Sequence, residues 1–552
     1  MSAESTARYV LEVREASPLV AAQIPVARVA LLGSGKFSAA LAEELGAAGC
    51  DVVHLPGDAD EATTLAQLAA ACADRPLRHL ILCTASDDTD WPQGADEQTW
   101  RRFRESHLTL PIRICQAWIE QLVESKETSQ ATLLAVTRLG GDYGLARPVE
   151  RPDGGGLAGM LKALFVESLA REWGGPRIRV VDFAPDVAAT SLAKRVAAEW
   201  ADLSAEPVAD SLSQAARTLA RLEIGYVKSQ RARLRLRAEP LAETQASSDL
   251  GRGPWIVTGG GRGITALVAR AIAERFGLRL HVLGSSPLPD IDRAWCELPP
   301  AELDALRLRT MREAHARGEM PATAWDAVAR LIEIARSLRA YADAGVAATY
   351  HRVDLARRSE VVETIARIRA WDGPIEGIIH GAGTETTARF ERKSPAMIEA
   401  TLAGKIDGAA SLESACADEP PRFVLAFGSI VGRCGGIGQA DYALANELLA
   451  KWTASLRGRW PDCRACTFHW PAWGEVGMAV RSSARWSLER HAVRFMPPGE
   501  GIEHVLRELG AGLPRTEVLI AHPTALAPLA EAMAEDDRCR DDSLVASTLR
   551  GQ

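Results

Sequence analysis

The sequence predicts an α/β protein of two tandem, doubly wound parallel-sheet subdomains, and three observations carry that expectation. A strand, glycine turn, helix, strand unit occurs twice, as VARVALLGSGKFSAALAEELGAAGCDVVHLPG (26–57) and as PWIVTGGGRGITALVARAIAERFGLRLHVLG (254–284). Apolar strands then alternate with helical stretches after each unit, the order of parallel sheets with crossover helices. The two units lie more than 200 residues apart, far beyond the period of a solenoid repeat.

Taken in order, RYVLEV (8–13) alternates as a strand and starts a sheet that other segments complete. After the first glycine unit, 77–85 (LRHLILCTA) reads as a buried strand, 100–122 as a long helix, 131–141 as a strand ending in a turn, 154–173 as a helix and 177–185 as a strand. The stretch 232–253 passes from strand alternation to a Ser- and Gly-containing linker. In the second half, strands are expected at 348–355, 375–383, 422–430 and 464–473, with helices around Lys405 and from Gln439 onward, and a helix then strand over 499–523. Residues 287–345 break this order and read as two helical runs, an inserted hairpin rather than a structureless loop. The organisation expected is therefore a structural subdomain (1–236), a linker (237–253), a catalytic subdomain (254–535) carrying the insertion 287–345, and a tail (536–552).

Composition narrows the function. With 552 residues and 47% apolar content there is material for several cores. The formal charge of −8 comes without a long basic run, which argues against nucleic-acid binding. No stretch of 18 or more apolar residues occurs and the N-terminus lacks a signal-peptide pattern, so a soluble, cytoplasmic protein without membrane association is expected. The ten cysteines sit mostly in apolar segments and read as reduced core thiols; the CxxC at Cys463 and Cys466 has no second ligand pair, so no metal site is expected.

The glycine turn TGGGRG (258–263) lets the backbone approach a ligand closely, and the helix N-terminus behind it favours a pyrophosphate. Hydride chemistry on such a cofactor needs a group that handles the proton. Ser429 ends a strand, Tyr442 follows thirteen residues later, Asn446 shares the helical face of Tyr442 four residues on, and Lys405 sits on the preceding helix. A phenol with an ordinary pKa near 10 needs a nearby cation to work at neutral pH, a part that suits Lys405. Ser429 would hold a carbonyl oxygen, Tyr442 would donate the proton, and Asn446 would fix the water or backbone that orients the lysine.

These residues together, with HGAG (380–383) after the fourth strand, resemble the short-chain dehydrogenase/reductase superfamily. More narrowly they resemble the ketoreductase domains of type I polyketide synthases, in which asparagine takes the place of the lysine of YxxxK and lysine moves to the earlier helix. The inserted helices, the turn GGGRGITA and MPPGEGIEHVLRELGAG are most similar to the iterative, polyunsaturated fatty acid and enediyne, subtype. The resemblance implies two Rossmann-like subdomains, the first degenerate, and NADPH as cofactor. Its binding residues would be Thr258, Gly259, Gly261, Arg262, Gly263, Ile264, Ser285, Asp354, Leu355, His380, Gly381, Ala382 and Gly383. Asp354 reads equally as an adenine contact or as the cap of the next helix, and His380 reads as a packed residue beside the cofactor. The arginine that relatives carry after the second strand is replaced by GSSP (284–287), which leaves Arg262 as the expected partner of a 2′-phosphate.

The same resemblance implies reduction of a 3-oxoacyl thioester, carried on an acyl carrier protein beside neighbouring synthase domains, to a 3-hydroxyacyl thioester. Trp470, Trp473 and Met478 lie in what would be a segment over the cleft and are the expected substrate contacts, with core tryptophans as the competing reading. The first subdomain has GSGKFS as its turn, Thr137 or Arg138 where Ser429 stands, and no tyrosine with Asn or Lys four residues on; it is expected to fold without catalysis. The rival readings are a free-standing reductase of small ketones or acyl-CoA, and a noncatalytic scaffold domain.

Overall fold

The structure is a computed structural model that describes residues 5–19, 23–171, 174–208, 212–241, 249–288, 294–478 and 493–534. The tail 536–552 and part of the segment following Met478 lie outside the described residues. The first half contributes β1 (Ala7–Glu15), β2 (Arg28–Leu32), β3 (Asp51–Leu55), β4 (His79–Leu82), β5 (Thr132–Thr137), β6 (Arg177–Phe183), β7 (Glu223–Val227) and β8 (Gln230–Ala238). The second contributes β9 (Pro254–Thr258), β10 (Arg279–Gly284), β11 (Ala348–Arg352), β12 (Gly377–His380), β13 (Phe423–Ser429), β14 (Arg464–Trp470) and β15 (Glu517–Ala521). The α/β class and the parallel wound sheets are as the sequence predicts.

The strands are joined more closely than that expectation required: all fifteen form a single sheet, in the order β3-β2-β4-β5-β6-β7-β8-β1-β15-β14-β13-β12-β9-β10-β11. The join is β1. It pairs antiparallel with β8 from Tyr9↔Ala238 to Glu15↔Ala232 and with β15 from Ala7↔Ala521 to Tyr9↔Leu519. Each half keeps the doubly wound order, with its direction reversing between β2 and β4 and again between β9 and β12. In such sheets ligands bind beyond the carboxyl ends of the strands at the reversal. The inner strands are buried throughout, as in TLLAVT and GIIH, because helices cover both faces.

The halves also meet helix to helix. Asp153–Leu169 packs on Ala440–Arg459, the helix that carries Tyr442 and Asn446, and the contact depends on glycine. A Cβ on Gly159 would overlap the Ala443 carbonyl, and one on Gly155 would overlap the Lys451 side chain. Around this contact runs a buried chain of charges. Lys162 donates to Glu223 at 2.9 Å and lies 3.7 Å from Glu447; Arg433 bridges Glu223 (2.8 Å) and Glu447; Lys451 donates to Glu517 at 2.6 Å. Buried ions are tolerable when each has opposite neighbours and hydrogen bonds, and here three cations face three carboxylates.

The insertion is helical as expected: Pro300–Ala316 and Pro321–Asp343 pack together, joined by a short turn at Gly318 with φ +75°. Among the described residues no helix is long and apolar enough to cross a membrane, and no cluster of three or more His, Cys, Asp or Glu is arranged to hold a metal. Cys463 and Cys466 are buried free thiols.

Candidate active site

The reversal between β9 and β12 brings the glycine turn and HGAG together. His380 is in register with Thr258 across the two strands. It is fully buried, with Nδ1 2.7 Å from Thr258 Oγ1 and Nε2 2.8 Å from the carbonyl of Lys405. A carbonyl only accepts, so Nε2–H donates to it and Nδ1 accepts from the threonine hydroxyl. Burial pushes the imidazole down to about 4, outweighing the hydrogen bond to the carbonyl. His380 is thus a packed, neutral strut that holds the turn presenting Lys405. Its folded pKa lies below the ordinary 6.5, so its contribution to stability is complete above that value and is lost as pH falls toward about 4. Denaturation measured at several pH values should show this acid loss, and it should shrink in His380→Gln.

Lys405 stands on a π-turn, Ala403–Asp407, between the helices Pro395–Leu402 and Gly408–Ala415. The first half secures this turn: Trp100 Nε1 and Arg104 Nη1 donate to the two Asp407 oxygens at 2.8 and 2.6 Å. Lys405 itself is 4% exposed and donates from Nζ to the Phe427 carbonyl at 2.9 Å, beside Gly383. Burial pushes its pKa down to about 8.

Ser429 ends β13 and caps the following short helix by accepting from Val431 N at 3.3 Å. Tyr442 enters from the helix Ala440–Arg459 and is 9% exposed. Burial first, then the Glu385 carboxylate, push its phenol pKa up, while hydrogen bonds with Ser429 and Asn446 pull it down. Asn446 Nδ2 donates to the Tyr442 carbonyl at 2.7 Å, and its Oδ1 is buried with no hydrogen-bond partner among the described residues. The charge that acts on the phenol here is that of Glu385, which accepts from Thr387 Oγ1 (2.6 Å) and Gln439 Nε2 (2.8 Å). Sequence reasoning missed Glu385 as a site residue; the signal was TETT itself, a carboxylate in an otherwise small-residue loop.

On the cofactor side, Gly259 has φ +73° and a Cβ there would come 2.9 Å from the Gly381–Ala382 backbone, so the turn is a cradle that only glycine makes. Gly263 opens the helix Gly263–Phe276, and the backbone of Gly477 passes over it and over Ile264. Arg262 is paired with Glu333 of the inserted helix at 3.8 Å. Ser285 is exposed at the end of β10. Asp354 accepts from Ala356 N at 3.1 Å in the turn ahead of the helix Arg358–Asp372, whose N-cap, Arg357, makes no side-chain cap bond, while Leu355 is buried against Gly408. Trp470 and Trp473 are core side chains, 4% and 1% exposed, in contact edge to face at 5.2 Å. They belong to the apolar cluster that includes Val505 and Leu509, which agrees with the core reading of these tryptophans. Met478 is half-buried, and the residues that follow, 479–492, lie outside the described chain.

The first half repeats the framework with other side chains at the corresponding places. Its π-turn Glu105–Thr109 carries His107 at its third position, as Lys405 is the third residue of its own. Thr137 ends β5 but is committed to Asp182 at 2.7 Å. Asp87 Oδ2 accepts from Ser34 N at 2.8 Å, placing a buried carboxylate on the glycine turn. A Cβ on Gly35 would come within 2.6 Å of that carboxylate. Gly35→Ala should therefore lower thermal stability and leave cofactor affinity unchanged; a selective loss of cofactor binding would contradict the structural role.

A glycine cradle at the reversal of a parallel sheet, with Ser429 at a strand end and Tyr442 and Asn446 on the helix beside it, is a Rossmann-like fold of the short-chain type. Comparison with known proteins specifies it. Residues 253–475 match the family model "KR domain". The chain is 26% identical over 400 residues to polyketide synthase PksL of Bacillus subtilis (70% of this chain, 8% of that protein). It is also 26% identical over 278 residues to a component of the polyunsaturated fatty acid synthase of a Thraustochytrium species (48% of this chain, 10% of that protein). It thus spans a tenth or less of the length of these relatives. Among solved structures, an A1-type ketoreductase superposes with a TM-score of 0.67 at 20% identity, covering 94% of each chain. The N-terminal ketoreductase of the macrolactin assembly line gives 0.64 at 17% identity, covering 96% of this chain and 94% of that one. Residues 253–475 thus carry a KR domain, and the chain as a whole is similar to polyketide synthases in sequence and to their ketoreductases in fold.

Proposed function

We propose that this chain is an NADPH-dependent β-ketoacyl reductase, which converts a 3-oxoacyl thioester on an acyl carrier protein to the 3-hydroxyacyl thioester within a larger synthase. The observation that supports this reading is that Tyr442 lies with Ser429 and Asn446, while Lys405 reaches the Phe427 carbonyl on the strand that ends in Ser429 and packs against Gly383. The inserted helices and the polyunsaturated fatty acid synthase relative support the iterative subtype.

The residues present fit a nicotinamide cofactor. Gly259 leaves the space a Cβ would fill, and Asn446 Oδ1 is a buried acceptor still to be satisfied. Thr258, Gly259, Gly261, Arg262, Gly263 and Ile264, with Gly381, Ala382 and Gly383, would hold it, and Asp354, Leu355 and Ser285 would flank its adenosine end. When bound, NADPH supplies hydride to the carbonyl carbon.

The protein's own part is to hold the carbonyl and deliver a proton. Ser429 Oγ–H donates to the carbonyl oxygen. Tyr442 Oη–H gives its proton to that oxygen as it gains negative charge. Burial and Glu385 favour the neutral phenol, which keeps the proton in place until the oxygen becomes basic enough to take it. Lys405, held on the Phe427 carbonyl in this structure, would support the phenolate left behind through a water accepted by Asn446 Oδ1, which is buried without a partner among the described residues.

Because kcat/KM reports the free enzyme, it should fall above about pH 8, where Lys405 loses its charge. A pH profile of kcat/KM checks this, and a flat profile through that range would remove Lys405 from its role. Steady-state assays with a β-ketoacyl N-acetylcysteamine thioester, NADPH and NADH, followed by chiral analysis of the alcohol, test the activity itself.

A further inference from the structure

The inserted helix Pro321–Asp343 reaches the cofactor turn with a carboxylate. Glu333 Oε1 accepts from Gly263 N at 3.1 Å, and Oε2 lies 3.8 Å from Arg262 Nη1. Two anchors, one polar and one apolar, hold the helix there: the Tyr341 hydroxyl donates to the Gly260 carbonyl at 2.9 Å, and Ile334 lies against Gly261. Gly263 is the first residue of the helix Gly263–Phe276, so its N–H is one of the donors without an intrahelical partner that make a helix N-terminus attract anions. The donor that a dinucleotide phosphate would use is thus already given to a carboxylate of this chain.

We propose that Glu333 is a resident substitute for the cofactor's phosphate, one that holds the Gly263 amide and the Arg262 guanidinium until a dinucleotide displaces it, and so sets cofactor affinity. The inference rests on the cofactor reading above. One N–H does not serve two anions at once, and a carboxylate left beside a pyrophosphate repels it. Displacement needs only a side-chain rotation, because the Glu333 side chain is 46% exposed and the anchors Tyr341 and Ile334 stay where they are. As Glu333 leaves, Arg262 exchanges a carboxylate for the 2′-phosphate, a better match for its fork of donors.

The first half shows what a permanent version looks like. Asp87 sits on the Ser34 amide of the corresponding turn but is 9% exposed and enclosed by Gly33 and Gly35. It comes from the loop after β4, part of the sheet's own framework, and has nowhere to go. Glu333 comes from an insertion and faces water. The same device is fixed in one half and releasable in the other.

The test is calorimetric titration of wild type, Glu333→Gln, Arg262→Ala and the double variant with NADPH and NADH, without substrate. Glu333→Gln should tighten both cofactors, NADPH by about five- to tenfold and NADH by less, because only NADPH also gains the released arginine. Arg262→Ala should remove the NADPH advantage, and adding Glu333→Gln to it should tighten the two cofactors equally. Unchanged or weaker NADPH binding in Glu333→Gln, with wild type binding normally, would overturn the inference alone. Failure of wild type and every variant to bind either cofactor would overturn the cofactor reading, and the inference with it. Glu333→Ala, read by amide exchange, is independent of nucleotide: the Gly263 amide should exchange faster than in wild type, and equal rates would count against Glu333 as its partner.

Discussion

Tyr442→Phe is expected to lower kcat for ketone reduction by about a thousandfold or more while cofactor affinity stays as in wild type. The substitution removes one oxygen. The ring, 9% exposed in the wild type, keeps its packing, and the Asn446 bond survives because it is made to the Tyr442 main-chain carbonyl. What is lost is the proton donor next to Ser429, whose hydroxyl then still holds a carbonyl oxygen that nothing protonates. Steady-state kcat together with a cofactor titration checks both halves of the claim. Retention of more than about a tenth of the activity would mean that general acid catalysis by this phenol is not at work.

Glu447→Ala is expected to destabilise the protein by about 3–5 kcal/mol, the range for breaking a buried ion pair on one side. Glu447 is fully buried on the tyrosine helix among Arg433, Lys162 and Lys451. Burial alone would raise its pKa, but Arg433, Lys162 and Lys451 hold it down at about 2. The folded value is depressed below the ordinary 4.5, so the stabilisation is present above that pH and is lost as pH falls toward about 2. Urea denaturation near neutral pH should show the large loss in Glu447→Ala, and at low pH the gap to wild type should narrow. Because Lys162 and Glu223 belong to the first half, the variant should also loosen the docking of that half on the tyrosine helix. A loss below about 1 kcal/mol would show that water reaches the network.

Much of this arrangement was legible in the sequence because it is written locally. The glycine turns, the four-residue spacing of Tyr442 and Asn446, Ser429 at a strand end and the helical insertion each depend on neighbouring residues alone. What escaped depends on contacts across hundreds of residues. The π-turn that presents Lys405 is held by His380 from another strand and by Trp100, 307 residues away from Asp407 in the chain. The single sheet exists because β1 serves as the edge partner of both halves, and its alternation told only that it was a strand. Glu333 and Glu385 gave no periodic signal, one lying within a charged helix and the other in a loop. Trp470 and Trp473 were ambiguous because an aromatic beside glycine suits a core as well as a cover, and packing against the helix Pro498–Gly510 decided for the core.

The packing of the two halves against each other also has a physical rationale. The first half supplies a glycine-faced helix, Asp153–Leu169, that clamps the tyrosine helix, and the Trp100 and Arg104 donors that fix the lysine turn. Its own glycine turn is held by Asp87, which accepts from Ser34 N.

The most direct measurement is single-turnover oxidation of protein-bound NADPH by a β-ketoacyl thioester, with wild type and Tyr442→Phe side by side. The expected result is conversion of one NADPH and formation of one 3-hydroxyacyl thioester per wild-type chain, with the variant binding NADPH and leaving it unoxidised. Stoichiometric NADPH binding by wild type with no alcohol formed from β-ketoacyl thioesters of any chain length would contradict it and make the domain a scaffold.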